Sequence, residues 1–182
     1  MLLATQEPKL PRADSRTLLQ TVQVPTATIV VVNRDNLDQI LVADSSKHSL
    51  PVLSGGKIDD ADIISANMRE CAEVCARREL TEELGIEVTK LTHVGTLSVQ
   101  DRDVREVPVK KLRGSVAGQA LTMLHDDIVV KACYGEPDYI FVAIVDPDSV
   151  RESSELKNPR WIDRNSVKDG VLGASHHLAV AM

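Results

Sequence analysis

At 182 residues, with 43% hydrophobic and 26% charged side chains, the chain has the length and composition of one globular domain able to bury a core. A net charge of −6 excludes a general nucleic-acid binder, which would carry a basic face, but leaves nucleotides open as ligands once a cation neutralises them. No apolar run reaches the ~20 residues of a membrane span, and Met1–Ala4 is too short for the core of a signal peptide, so a cytoplasmic protein without membrane contact is expected.

Residues 1–23 are polar, with Pro8, Pro11 and Asp14, and read as an arm or edge strand ahead of a single domain over 24–182. Ala27–Val32 and Gln39–Ala43 are apolar, largely β-branched runs joined by Asn33-Arg34-Asp35-Asn36, which predicts a hairpin. Leu50–Leu53 leads into Gly55-Gly56, a predicted backbone turn, and Asp59–Ile64 reads as a loop. A helix follows, with Ser65 as candidate N-cap. Its apolar stripe is Met68, Ala72, Ala76, Leu80 and Leu84, and Gly85 stands where a left-handed cap would end it. Cys71 and Cys75 lie near that stripe and, with Cys133, make an odd count without CxxC spacing, so buried thiols in a reducing compartment are expected. Leu91–Val99 predicts a strand, and the charged segment Asp101–Gly118, with Pro108 and Gly114, predicts a long loop. Ile128–Tyr134 and Tyr139–Val145 flank Gly135-Glu136-Pro137-Asp138, a second predicted hairpin. Trp161–Asp163 predicts another strand, and Ser175 the cap of a short helix to Met182. The expected fold is a mixed sheet with at least one long helix against it.

The chemistry concentrates at the end of that long helix. Glu79, Glu82 and Glu83 stand at i, i+3 and i+4, so their carboxylates share one face. Like charges at that spacing cost a helix about 0.2–0.5 kcal/mol per pair, which a lysine would have avoided. A hard divalent cation such as Mg²⁺ or Mn²⁺ turns the repulsion into a binding site. An isolated glutamate pair is more often a solvated face. Here Arg78 lies four residues before Glu82, Gly85 closes the helix, and a glycine pair follows an apolar run upstream, a combination that favours a metal site.

Glu70, then seven residues, then Arg78-Glu79-Leu80-Thr81-Glu82-Glu83-Leu84-Gly85-Ile86 resembles the Nudix box, G-x5-E-x7-R-E-U-x-E-E-x-G-U, at every position of its second half. The first half departs. The box glycine would fall on Ile64, whereas the natural candidate is Gly56 in Leu53-Ser54-Gly55-Gly56-Lys57-Ile58-Asp59, similar to the family's L-P-G-G-K run with Ser54 in place of proline. Gly56 and Arg78 are 22 positions apart where the pattern has 14, which places an eight-residue insertion between Asp59 and Glu70. Deleting Asp60–Asn67 is therefore expected to alter substrate choice more than stability.

The resemblance implies an α/β/α sandwich around a mixed sheet and metal-dependent water attack on a nucleoside diphosphate linked to another moiety. It implies Mg²⁺ or Mn²⁺ on Glu79, Glu82 and Glu83, with Glu83 the strongest candidate and any of the three able to help deprotonate water. Arg78 would orient a glutamate, Gly56 would offer a backbone carbonyl, and Glu70 would supply an outer ligand or a structural pair. Glu136 and Glu155 are loop carboxylates that could add a ligand outside the box, although such loops usually carry solvated charges. His176 and His177 read as surface or capping residues and stay outside the site. The family's substrate signatures are missing: Arg102 stands where an ADP-ribose signature wants proline, and no tyrosine marks a dinucleoside polyphosphate site. The expected partner is a nucleotide-type small molecule, and a homodimer is one expected assembly. The alternative is a non-catalytic nucleotide-binding or scaffold domain on the same fold. An isoprenyl diphosphate isomerase fails for want of suitably placed cysteine and histidine ligands.

Overall fold

The computed structural model describes residues 21–98, 104–168, 170–173 and 176–182. Most of the expected N-terminal arm, the Asp101–Asp103 segment and Ser175 lie outside the described residues. The centre is a sheet of β1 (Thr21–Asn33), β2 (Gln39–Ser45), β3 (Ser54–Lys57), β4 (Thr92–Leu97), β5 (Val104–Pro108), β6 (Val129–Val145) and β7 (Leu156–Asp163). Its main order is β4-β6-β1-β2-β7, with β3 on β1 and β5 on β6. The β1–β6 pair is parallel and its neighbours are antiparallel, the mixed sheet expected.

Alternation of side chains along β1 builds both faces. Ala27, Ile29 and Val31 pack with Phe141, Ala143 and the stripe of α1 (Met68–Leu84), in which Cys71, Ala72, Cys75, Ala76, Leu80 and Leu84 are buried. Val30, on the opposite face, packs with Ile40, Val42, Leu53, Ile140, Leu172 and Ala179, the last in α3 (His177–Val180). The result is the α/β/α arrangement. A separate cluster joins Val22 and Val24 to Val107, Val109, Leu112, Leu121 and Val130, beyond the box-bearing half.

Four expectations need correction. Gly55-Gly56 is extended in β3, where Ala27 pairs with Gly56 and Thr28 with Gly55. Gly135–Asp138 makes no hairpin, and β6 runs straight through it. The parallel register jumps from Val24↔Tyr134 to Thr26↔Asp138, so Gly135, Glu136 and Pro137 bulge opposite Pro25. Neither proline can donate to the ladder, which makes this the place where the ladder breaks at least cost. Asp138 then re-anchors the strands, its buried carboxylate accepting from the Thr26 hydroxyl at 2.8 Å and the Thr28 hydroxyl at 3.0 Å. The region expected as a loop contains β5, a 3₁₀ turn at Val109–Lys111 and α2 (Val116–Gln119). Finally, α1 begins after Asn67, whose side chain accepts from the Arg69 amide, while Ser65 bonds to Glu70 one turn further on.

Candidate active site

Gly85 ends α1 in the left-handed conformation, φ 66°, with its amide on the Leu80 and Thr81 carbonyls. That stop leaves the last turns of the helix facing β3. Glu83 is buried there at 8% exposure. Its Oε2 accepts from the Ser54 hydroxyl at 2.8 Å and from the Gly55 amide at 3.0 Å, both neutral donors. Burial pushes the carboxyl up to about 7, the negative charges of Glu79 and Glu155 adding to the rise that the two donors oppose. Ser54, where the family favours proline, thus supplies a donor that proline lacks. Glu79 packs against Gly56 so closely that a Cβ at that position would overlap its carboxylate. Its carboxyl is also raised, by burial first, despite the adjacent Arg78. Glu82 is exposed on the helix rim, 59% for its side chain.

Arg78 is the hub of the charged network. It donates to Asp62 from Nε at 3.0 Å and Nη2 at 2.9 Å, and from Nη1 to Glu79 at 2.8 Å and Glu82 at 3.1 Å. Asp62 is 1% exposed and also accepts from the Asp59 amide at 2.9 Å. Burial alone would raise the Asp62 carboxyl, but Arg78 and the backbone bond outweigh it and hold the group below its ordinary value. The box frame follows from this contact. Counting G-x5-E forward from Gly56 reaches Asp62, so an aspartate stands at the position assigned by sequence to Glu70. The eight extra residues therefore fall after Asp62. Glu70 instead serves the helix start, accepting from Ser65 at 2.7 Å and from Asn67 at 3.0 Å. It lies nine positions before Glu79 on the helix, about 13.5 Å along the axis.

Two joined cavities flank this cleft. The smaller, about 110 Å³, is lined by Glu83, Glu155, His48 and Leu53 among others. The larger, about 290 Å³, is lined by Lys57, Arg105, Tyr134, Thr26 and Thr28 among others. Lys47, Gly55 and His176 line both. Glu155 comes from the segment before β7 and pairs with Lys47 at 3.0 Å. Glu136 is buried on the β6 bulge, where the Ser98 hydroxyl bonds to one oxygen while Oε2 has no hydrogen-bond partner among the described residues. Sequence reasoning set His176 aside. The structure places its Nδ1 2.8 Å from the Leu53 amide, which donates to it, so a neutral ring carries its proton on Nε2. No short-range signal joins residues that lie 123 positions apart.

Among the described residues, no three histidine, cysteine or carboxylate side chains already sit together as a metal cluster. The donor chemistry nevertheless fits a hard cation. The negative charges of Glu79 and Glu155 raise the Glu83 carboxyl and those of Glu82 and Glu155 raise the Glu79 carboxyl, and Glu82 stands beside Arg78 at the same rim.

A mixed sheet between helices, with a glutamate-rich helix end packed on a glycine strand, defines the class of Nudix-type hydrolase folds. The family model for the NUDIX domain matches residues 23–178, and the chain belongs to the Nudix family. The fold is similar to the Nudix domain of Shewanella oneidensis NrtR in complex with ADP ribose, at 16% identity and TM-score 0.57, over 96% of this chain and 90% of that one. It is similar to the Escherichia coli dihydroneopterin triphosphate pyrophosphohydrolase at 15% identity and TM-score 0.55, over 87% and 94%. A MutT/nudix family protein from Enterococcus faecalis matches at 17% identity and TM-score 0.48, over 87% of this chain, which spans 47% of that protein's length. No curated protein matches the chain in sequence. Nudix hydrolases act on nucleoside diphosphate derivatives and generally use a divalent metal such as Mg²⁺ or Mn²⁺. Among the described residues no helix is long and apolar enough to cross a membrane.

Proposed function

We propose that the protein is a metal-dependent pyrophosphohydrolase acting on a nucleoside diphosphate linked to a second group. The observation that carries this reading is the geometry at the end of α1: the buried Glu83 carboxylate is held by the Ser54 hydroxyl and the Gly55 amide, and the Glu79 carboxylate packs directly on Gly56. Glu79, Glu82 and Glu83 would hold Mg²⁺ or Mn²⁺, with Glu155 as a further carboxylate and the Gly56 carbonyl as a neutral oxygen. When bound, the cation would neutralise diphosphate oxygens and acidify a water.

The chain's own residues do the rest. Ser54 and Gly55 occupy Glu83 Oε2, which leaves Oε1 as the oxygen able to take the proton of the attacking water. A base with a pKa near the working pH is the effective one. As the water oxygen bonds to phosphorus, the bridging P–O bond breaks and the second phosphate leaves with the electron pair. Arg78 stays anchored on Asp62 and fixes the Glu79 and Glu82 carboxylates.

The test is phosphate or pyrophosphate release with Mg²⁺ and Mn²⁺ across nucleoside triphosphates, nucleotide sugars, dinucleoside polyphosphates and NADH. Metal-dependent turnover that disappears in Glu83→Gln supports the reading, equal rates in variant and parent move the reactive role away from Glu83, and the absence of metal-dependent turnover across the panel overturns the reading. The second reading is a nucleotide-binding domain without turnover. It is favoured by the hold of Arg78 on Glu79 and Glu82, which keeps both away from a preassembled metal cluster. Nucleotide binding with silence across the panel would select it.

A further inference from the structure

The carboxylates of the box rest on two different supports. Glu83 is held from β3 by Ser54 and Gly55. Glu79 and Glu82 are held by Arg78, and Arg78 is held by Asp62. The place of Asp62 is set by a 3₁₀ turn over Asp60–Asp62. Its amide donates to the Asp59 carbonyl at 3.0 Å, and its carboxylate accepts from the Asp59 amide at 2.9 Å. What holds that turn comes from outside the box.

Ile58 leads into the turn with hydrogen bonds on both sides. Its amide donates to the Pro25 carbonyl of β1 at 3.1 Å, and its carbonyl accepts from the Val116 amide at the start of α2 at 3.2 Å. Within the turn, the Asp60 amide donates to the Gly114 carbonyl at 2.8 Å, and the Gln119 side-chain amide donates to the Asp60 carboxylate at 2.9 Å. The block that supplies Gly114, Val116 and Gln119 is firmly built. Leu112, Ala117 and Leu121 are buried in the second apolar cluster, and a Cβ on Gly118 would overlap the Leu112 carbonyl. Arg113 donates to the Leu121 and Leu124 carbonyls and to Asp126. Gly114 has φ 73° with open space around it, so the direction of its carbonyl depends on a conformation that L side chains resist.

Resting on the hydrolase reading above, we propose that Gly114 and Gln119 are positioning residues for the metal-binding carboxylates, acting through Asp60, Asp62 and Arg78 on Glu79 and Glu82. The second apolar cluster is then the footing of the site. Close-packed interiors transmit small shifts instead of absorbing them, so a displaced Gly114 carbonyl moves the turn and with it the Arg78 anchor. Glu83, held from β3, stands off this line of contacts. Gln119 and Asp60 are both exposed, so their contact can be altered without opening a core.

The test uses two variants, each with its own rescue. Gln119→Glu sets two carboxylates against each other, and adding Asp60→Asn exchanges donor and acceptor and restores the bond. Gly114→Val strains the left-handed backbone, which Gly114→Asn adopts more readily. Two readouts are followed in the full chain: Mn²⁺ affinity, from the electron paramagnetic resonance of the free ion, and solvent exchange of the Arg78 Nε–H by NMR without metal. Gln119→Glu and Gly114→Val should each weaken Mn²⁺ binding and speed the exchange at least about fivefold, and both rescues should return to within about twofold of the parent. The charge added by Gln119→Glu would by itself attract the cation, so weaker binding identifies lost geometry. The urea midpoint of Gln119→Glu should stay at the parent value. Either variant remaining within about twofold of the parent overturns the proposal, as does a loss that its rescue does not restore. Failure of the hydrolase reading looks different: no metal-dependent turnover in the parent, with Arg78 exchange still following Gly114 and Gln119.

Discussion

Arg78 and Glu83 stand five positions apart on one helix, yet their surroundings are opposite. The arginine is saturated with charge: Asp62, Glu79 and Glu82 all accept from it, and Asp59 lies 3.6 Å away. Among the described residues the glutamate accepts from a hydroxyl and an amide, both neutral, and burial raises its carboxyl to about 7. One group is locked in its charged form, and the other is left balanced between forms near neutral pH. The difference teaches that a box motif read as one constellation divides into a charge-locked scaffold and, in the mechanism proposed above, a reactive carboxyl, and that burial without a cationic partner is what keeps that carboxyl near neutrality.

The largest effect expected of breaking this contrast is on turnover. Glu83→Gln keeps a side chain that can accept from Ser54 and Gly55 but removes the ionisable oxygen, so turnover should fall at least about a thousandfold, about 4 kcal/mol of barrier. Steady-state rates with Mg²⁺ check this, and a loss under about tenfold would move the reactive role to Glu79 or Glu82. Next comes the scaffold. Asp62→Ala strips the buried partner from Arg78 and should cost about 3 kcal/mol of stability in a urea titration, toward the low end for a broken buried pair because Glu79 and Glu82 remain. A cost below about 1 kcal/mol would show that Asp62 is dispensable and that the two surroundings differ less than their geometry says.

Much of this was legible before the structure. The β1–β2 hairpin and the α1 stripe follow from periodicities that tertiary packing reinforces, so Ala72, Ala76, Leu80 and Leu84 are buried as expected. The β6 bulge was not legible, because Gly135-Glu136-Pro137-Asp138 has turn chemistry and only the opposing Pro25 turns it into a break within one strand. Asp62 was hidden by the counting frame: Glu70 matched the motif letter, while the contact to Arg78 belongs to the residue at the right distance from Gly56. The consequence reaches the insertion. Deleting Asp60–Asn67 removes both the Arg78 partner and the helix cap, so it should act on stability first, contrary to the expectation from sequence.

The third effect tests the pH side of the contrast. The Glu83 carboxyl ionises at about 7 in the folded chain against an ordinary 4.5, so the folded state binds the proton more tightly than the unfolded one. Its contribution to stability is intact below the unfolded value and is lost as pH rises between the two. Glu83→Gln escapes that loss. The stabilities of variant and parent should match near pH 4.5 and diverge toward pH 8, where the variant is more stable by about 3 kcal/mol. Added Mg²⁺ should narrow the gap by stabilising the ionised parent. Parallel curves would mean that Glu83 titrates as an ordinary carboxylate.

The smallest effect falls on Ser54, whose hydroxyl is one of the two donors to Glu83. Ser54→Ala removes a donor that favours the ionised form, so the carboxyl should rise further and the stability loss should depend on pH. A loss of about 1 kcal/mol is expected at pH 8, the usual worth of one such bond, and less at pH 5, where the protonated carboxyl no longer needs the donor. Ser54→Thr keeps the hydroxyl and should restore the parent profile. If Ala and Thr behave alike at both pH values, the hydroxyl plays no part in holding Glu83, and the contrast with Arg78 rests on burial and the Gly55 amide alone.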